Sequence, residues 1–425
     1  MVRGDRPLTE PEIRQTLIQG LQGSRFAGRR VLVVIPDSTR TAPIPLMYRL
    51  LHEVLGPHVK ALDFLVALGT HPAMSDEALG RLVGVEVADG ATADSKVFNH
   101  RWDLDESFVT VGVIPASEIR EASNGLMDLD VPVRLNRLVG DPNGERPYDE
   151  IVVCGPVFPH EVAGFSGGNK YFVPGVSGQE VIDVTHWLGA LLTSKEIIGV
   201  ADTPMRRLIN RAASFIPTPA SLVAMVMHGE DLRGLFVGEM DATWKAATEL
   251  SEELDIVWVD RPYRRVLSVV PEMYDDLWTG AKGMYKLEPA IADGGEVVIF
   301  APHITDVSYV HGATIDEIGY HVRDYFTSQW ERFTHVPWGI LAHSTHLRGA
   351  GSFENGVEKA RIDVTLATGI PRERCERIGL GYLDPASIEF EEWEDRQDEG
   401  ILLVPRAGEQ LFRVRPENTS GNHRR

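Results

Sequence analysis

Apolar runs of strand length alternate along this chain with stretches of helical spacing. "RRVLVVIPD" (29–37) is apolar from Val31 to Pro36, the pattern of a buried strand, and "IPLMYRLLHEVLG" (44–56) follows with helical spacing and a terminal glycine. "ALDFLVALGTH" (61–71) predicts a second strand, so this opening has the β-α-β rhythm of a parallel sheet. Ahead of it, Thr9 and Glu12 in "TEPEIRQTLIQGL" make a capping-box start to a first helix. Further strands are predicted at "EIVVCG" (150–155) and "SLVAMVMH" (221–228). The rhythm restarts after "DIVWVDRPYRRVLSVVP" with a strand near 265–270, a helix near 276–291, and strands at "GEVVIFAP" (295–302) and "WGILAHS" (338–344).

This pattern predicts an α/β protein of two domains, each with a parallel or mixed sheet flanked by helices. Residues 1–260 form the first domain and 261–400 the second, with the break near Arg261–Pro262. The tail from about 400 to 425 could pack back on the first domain, and its polar end, "PENTSGNHRR", is expected to fray. A length of 425 residues fits two domains, and 43% hydrophobic with 24% charged residues is a globular composition. A formal net charge of −20 repels phosphate backbones and anionic membranes at long range, so neither nucleic acid nor membrane is expected as a partner. Two cysteines, Cys154 and Cys375, build no disulfide framework and no thiolate cluster, which fits a reducing cytoplasm. No apolar run reaches the roughly 20 residues of a membrane span, and the first residues lack the apolar stretch of a signal peptide.

In open α/β sheets ligands bind beyond the carboxyl ends of the strands, so polar residues that follow apolar runs carry the candidate chemistry. Three clusters qualify. In "PDSTRTAP", Arg40 could fork onto a carboxylate or phosphate, with Asp37 orienting it or accepting from a ribose hydroxyl; the plain alternative is a capped turn with a solvated arginine. In "ALGTHPAMSDEAL", His71 lies between a strand and a helix capped by Ser75 or Asp76; a lone loop histidine is more often incidental. The third is "HEVAGFSGGNKYFVPGVSG" (160–178), where five glycines, with Gly155 just upstream, surround Lys170. It is not a P-loop, since Asn169 precedes the lysine and Tyr171 follows it, and it is not the dinucleotide fingerprint. Gly164, Gly167 and Gly168 could still present backbone N–H groups to a phosphate. The apolar residues that follow argue that this loop is packed down.

The third cluster resembles the signature of the nickel-dependent lactate racemase family, H-x-x-x-G-F-S-G-G-x-K followed by P-G and a further histidine. His160 precedes Lys170 by ten residues, and His186 follows it by sixteen. "DSTR" looks like the family's D-x-T-R motif, "GTHPAM" is similar to its G-[TF]-H-R-P element, and "LWTGAKGM" (277–284) corresponds to its I-Y-Q-A-x-K-G-M.

The resemblance implies a nickel pincer nucleotide, a pyridinium mononucleotide with two thio-acyl arms, joined to Lys170 as a thioamide. Nickel would be bound by carbon, two sulfurs and the imidazole of His186, a soft square-planar set that suits Ni(II). Asp37, Thr39, Gly164, Ser166, Gly167 and Gly168 would contact the cofactor. The implied reaction is a hydride shuttle at C2 of a 2-hydroxy acid through a planar 2-keto acid. His71 and His160 would handle the hydroxyl proton on either side, as an imidazole near neutral pH can. Arg40 and Lys282 would hold the substrate carboxylate, and since Lys282 belongs to the second domain the active site is expected in the interdomain cleft. The partners implied are a small 2-hydroxy acid and, transiently, the proteins that build the cofactor.

Departures from the family pattern concern the substrate. Thr41 stands where proline is usual after the arginine, Pro72 where arginine is usual, and Trp278 and Thr279 replace the tyrosine and glutamine of the lactate enzymes. Trp278 and Thr279 are expected to line the substrate pocket, and with the polar run His303, Thr305, Asp306, Ser308 and His311 they point to a substrate larger or more polar than lactate. The resemblance assigns no role to His100, His303, His311 or His343. Two other classes stay open: a non-catalytic pincer-nucleotide carrier, and a generic nucleotide-binding enzyme such as a kinase. Retention of both His71 and His160 weighs against the first. Against the second stand the missing Ser/Thr after Lys170 and the lack of an acidic magnesium pair.

Overall fold

The structure, a computed structural model, describes residues 1–21, 25–141, 143–144 and 146–416. The end of the polar tail, 417–425, lies outside the described residues. Two compact units divide the chain: Met1–Leu192 with Ile197–Asp255, and Thr193–Glu196 with Ile256–Arg425.

The first unit is built on seven strands: β1 (Val2–Arg3), β2 (Arg30–Pro36), β3 (Ala61–Ala67), β4 (Val97–Asn99), β5 (Glu150–Pro156), β6 (Ala220–His228) and β7 (Asp231–Glu239). Their order is β1-β7-β6-β5-β2-β3-β4. From β6 to β4 every pair is parallel, while β7 returns antiparallel on β6 and β1 pairs antiparallel with β7. The chain runs outward from β2 through β3 to β4, then crosses back to place β5 on the other side of β2. The strand order therefore reverses between β2 and β5, and the crevice beyond their carboxyl ends is where such a sheet takes a ligand.

Both faces of β2 are buried, which is why it is written as a continuous apolar run. On one face Val31, Val33 and Ile35 join Leu17 and Leu21 of helix Glu10–Leu21 and Met47 and Leu51 of helix Ile44–Leu55 in a single core. Helix Met240–Asp255 packs on β6 and β7. The first helix starts as its sequence predicts: the Glu12 carboxylate accepts from the Thr9 backbone N–H at 2.8 Å and from its hydroxyl at 2.7 Å.

The second unit holds a fully parallel five-stranded sheet of β8 (Tyr263–Val269), β9 (Ile291–Ala301), β10 (Asp363–Thr368), β11 (Gly381–Tyr382) and β12 (Ile401–Val404), in the order β11-β10-β9-β8-β12. The α/β class with parallel and mixed sheets is thus as the sequence predicts. Three local expectations are corrected. "WGILAHS" is not a strand but the start of helix Trp338–Arg348, whose residues from Ile340 to Leu347 are all buried. A helix buried all round has no polar stripe, so its short apolar stretch mimics a strand. The helix expected near 276–291 is a chain of short turns, Leu277–Gly280, Lys282–Tyr285 and Glu288–Ala290. The tail belongs to the second unit: β12 pairs with β8, and Leu411–Val414 pairs with Ile256–Val259. Cys154 and Cys375 are both free and buried. Among the described residues no helix is long and apolar enough to cross a membrane.

Candidate functional site

Three segments leave the carboxyl ends of β2, β3 and β5, and they carry most of the first unit's candidate residues. After β2, the buried Asp37 divides its oxygens between two partners. One accepts from the Thr39 backbone N–H at 3.1 Å and hydroxyl at 2.6 Å; the other takes Nδ1 of His71 at 2.5 Å. Burial by itself would raise the Asp37 carboxyl, but the hydrogen bonds from His71 and Thr39 outweigh it and hold the group below its ordinary value. Thr39 also receives the guanidinium of Arg40, with Nη1 3.1 Å from its hydroxyl oxygen. Among the described residues Arg40 makes no hydrogen bond to a carboxylate; its charged end sits 6.0 Å from the ring centre of Phe158.

His71 follows β3 on a turn whose backbone is fixed at several points. Gly69 N–H donates to Gly175 O at 2.9 Å, His71 N–H to Leu68 O at 2.9 Å, and Trp102 Nε1 to His71 O at 2.9 Å. The side chain is half-exposed, and with Nδ1 on Asp37 no described residue bonds its Nε2.

The β5 segment is deeper. Pro159–His160 and Gly164–Phe165 form a two-residue hairpin, stapled by Ser166: its hydroxyl accepts from Phe158 N–H at 3.0 Å and donates to Pro156 O at 3.1 Å. His160 is buried, and its Nδ1 accepts from Val162 N–H at 3.1 Å, with Glu161 Oε2 3.5 Å away. Burial drives the His160 imidazole well below its ordinary value; Glu161 opposes this and the charges of Lys170 and Arg40 add to it.

Behind the hairpin lies a residue that sequence reading missed. Arg206, on helix Pro204–Ala213, is 3% exposed and lies 4.1 Å over the Trp244 ring. It donates to the carbonyls of Phe165 and Gly167. Burial lowers its guanidinium to about 9. The "MRR" pair gives no sign of which arginine turns inward; Arg207 is on the surface with Asp202. Trp244 and the carbonyls of Phe165 and Gly167, all distant in sequence, take the inward one.

The glycines of this stretch serve packing more directly than the phosphate cradle expected of them. Gly167 has φ +75° and a Cβ there would lie 2.5 Å from Val157 Cγ2; Gly168 has φ +59° and its Cβ would lie 2.8 Å from Trp244 Cδ1. A Cβ on Gly164 would meet Val200 O at 2.0 Å, and one on Gly155 would collide with the Tyr171 hydroxyl. Close approach of neighbouring protein excludes side chains at these positions.

Gly168–Tyr171 form one 3-10 turn that presents Lys170. Burial lowers the Lys170 amine to about 7, helped by the positive charge of Arg40, and no described residue forms an ion pair or hydrogen bond with it. His186, on helix Gln179–Leu192, donates Nδ1–H to Ile182 O at 2.7 Å, which leaves the Nε2 lone pair outward. Burial lowers this imidazole too. His160, Lys170, Arg40, Asp37 and His186 are near enough to act on one another's charge, so the first unit brings together what the sequence placed at 37, 40, 160, 170 and 186. Among the described residues no group of three or more His, Cys, Asp or Glu side chains is placed to hold a metal.

The remaining candidates lie in the second unit. Asp276 caps the turn at Leu277 and accepts from the Thr279 N–H at 2.9 Å and hydroxyl at 2.8 Å, so the Thr279 hydroxyl proton already has a protein partner. Trp278 stacks on His343 with centroids 3.8 Å apart and leans on His311 at 4.6 Å. Tyr320 Oη lies 3.3 Å from His343 Nε2. Lys282 sits 4.7 Å over the Tyr274 ring, and His303 Nε2 is 3.1 Å from Tyr274 O. His100, in the first unit, is a structural histidine: fully buried, it bonds Ser177 O at 3.1 Å and Asn136 Nδ2 at 3.1 Å, and burial pushes it down to about 4.

Residues 8–199 match the lactate racemase N-terminal domain model. The lactate racemase of Lactiplantibacillus plantarum is 24% identical over 280 residues, and that of Thermoanaerobacterium thermosaccharolyticum 22% over 286, covering 64% and 66% of this chain. Those matches span 59% and 62% of the relatives' own length. A crystal structure of a Thermotoga maritima protein is 32% identical with a TM-score of 0.84, covering 98% of this chain and 100% of its own. The lactate racemase apoprotein of Thermoanaerobacterium thermosaccharolyticum, 18% identical, superposes with a TM-score of 0.72 over 97% of this chain and 94% of its own, a likeness of fold. With the D-x-T-R turn, the strand-end histidine and the lysine-bearing glycine stretch at the ends of β2, β3 and β5, the chain is a lactate racemase family homologue.

Proposed function

We propose that the protein is a racemase or epimerase that inverts C2 of a 2-hydroxy acid, with a nickel pincer nucleotide joined to Lys170. The observation that carries this reading is the Lys170 amine, partly buried, without a hydrogen-bond or ion-pair partner among the described residues and lowered to about 7, so that it is nucleophilic near neutral pH. The residues present fit such a group. His186 offers one imidazole nitrogen to a metal, with its tautomer fixed by Ile182, and the remaining donors would come from the bound group itself. The supporting turn is held by protein contacts, so Lys170 keeps its position without help from the ligand.

When bound, the group supplies a hydride acceptor at the site. The chain's own residues do the rest. Arg40, anchored on Thr39 and free of a carboxylate partner, takes the substrate carboxylate. His71 and His160 move the hydroxyl proton at their Nε2 atoms, and burial of His160 keeps bulk water from that side. The carboxylate set against His71 favours catalysis over a carrier role, which needs no oriented base. The preferred substrate is larger or more polar than lactate, as Trp278 and the polar 303–311 run suggest.

The test is an intact mass and a metal assay after co-expression with cofactor-synthesis proteins. The expected result is an added mass on the scale of a nucleotide, about one nickel per chain, and loss of the adduct in Lys170→Ala. An unchanged mass without nickel overturns the reading. A panel of 2-hydroxy acids followed by chiral chromatography then settles the substrate, and fastest turnover of lactate would sink the size argument.

A further inference from the structure

Hydrogen-bond partners decide which nitrogen of a neutral imidazole carries the proton, because some partners can only accept and others can only donate. The two imidazoles of this site have partners of opposite kind. Asp37, an ionised carboxylate, can only accept, so Nδ1 of His71 carries hydrogen and Nε2 is left with a lone pair. Val162 N–H can only donate, so Nδ1 of His160 carries the lone pair and Nε2 the hydrogen. The competing acceptor at His160 is Glu161, 3.5 Å from Nδ1, farther than Val162 N at 3.1 Å.

We infer that the protein holds His71 and His160 in opposite tautomers, a proton acceptor at Nε2 of His71 and a proton donor at Nε2 of His160, with Asp37 as the positioning residue that fixes the first. The functional meaning rests on the racemase reading, but the tautomers belong to the chain alone. A substrate hydroxyl facing His71 meets a base from the start. One facing His160 meets a hydrogen-bond donor, and that ring accepts a proton only after breaking its bond to Val162. The near mirror symmetry a racemase needs is therefore absent in the resting protein.

Asp37 also makes the inference sharply testable. Its Oδ1 is held by two donors of Thr39, so in Asp37→Asn the amide oxygen takes that place and the amide NH₂ faces His71. A donor there forces Nδ1 of His71 to accept and moves its proton to Nε2.

The experiment is long-range ¹H–¹⁵N NMR on histidine-labelled full-length protein without cofactor or substrate at neutral pH. His71→Gln and His160→Gln assign the two signals, and His100, bonded to Ser177 and Asn136, reports that each variant is folded. The expected result is the Nδ1–H form at His71 and the Nε2–H form at His160, with only His71 switching in Asp37→Asn. The same tautomer at both residues in wild type overturns the inference, as does a folded Asp37→Asn in which His71 is unchanged. Since no turnover is measured, these outcomes are separate from success or failure of the racemase reading.

Discussion

His71 and His160 stand beyond strands on either side of β2, yet they are held in different ways. His71 is half-exposed on a loop and steadied by one carboxylate. His160 is 8% exposed in a hairpin that Ser166 and Arg206 clamp from behind. The difference teaches that one kind of side chain can be held by local pairing, cheap to assemble and easy to reach, or by burial, which needs the rest of the unit to be in place. It also explains why His160 is displaced so far by desolvation.

The largest effects should come from the imidazoles themselves. His71→Ala and His160→Ala should each lower turnover by roughly 10² to 10⁴, the usual scale for one acid-base group. Free imidazole added to the assay should restore part of the loss in His71→Ala, whose site opens to solvent, and none in His160→Ala. Equal rescue of both, measured as initial rates, would erase the contrast.

Burial has a pH signature at His100, the buried histidine that ties Ser177 to Asn136. Its folded value of about 4 lies below the ordinary 6.5, so the unfolded chain takes up the proton first. Its contribution is complete above pH 6.5 and lost as pH falls toward 4, on the order of 3 kcal/mol in total. Denaturant midpoints from pH 7 to 4 should fall less steeply for His100→Gln than for wild type. His160 and His186 are shifted the same way, so the difference between the two proteins, not the slope itself, is the measure.

The clamped segment should also resist substitution more than the loop. Gly168→Ala places a Cβ against Trp244 in left-handed backbone and should cost roughly 1–3 kcal/mol in a thermal melt. On the His71 side, Ser75 caps helix Asp76–Val83 by accepting from Ala78 N–H at 3.2 Å. Ser75→Ala should cost only about 1 kcal/mol. A reversed order would mean that the loop, not the hairpin, carries the site's rigidity.

Much of this was legible beforehand where the signal is local. Thr9 with Glu12, the apolar run of β2 and the cap at Ser75 or Asp76, which the structure gives to Ser75, each act within a few residues, so their sequences come close to stating their structure. The Trp338–Arg348 helix was misread because its burial comes from neighbours far along the chain, which remove the polar stripe that marks a helix. The resemblance to the lactate racemase signature singled out Lys170, His160 and His186. It could not say that Asp37, thirty-four residues before His71, would meet it.

By itself, then, the sequence determined the α/β class, the strand ends where chemistry gathers, and the family. The strand order alone put β5 beside β2 and so made one site of segments more than a hundred residues apart. Tertiary structure also decided that Arg206 turns inward to hold the Lys170 turn, that neighbouring protein packs against the glycines, and which nitrogen of each imidazole the protein holds. The physical reason is range. Strand pattern and capping are set by neighbours in the chain, whereas desolvation and hydrogen-bond direction depend on groups that only folding brings within a few ångströms.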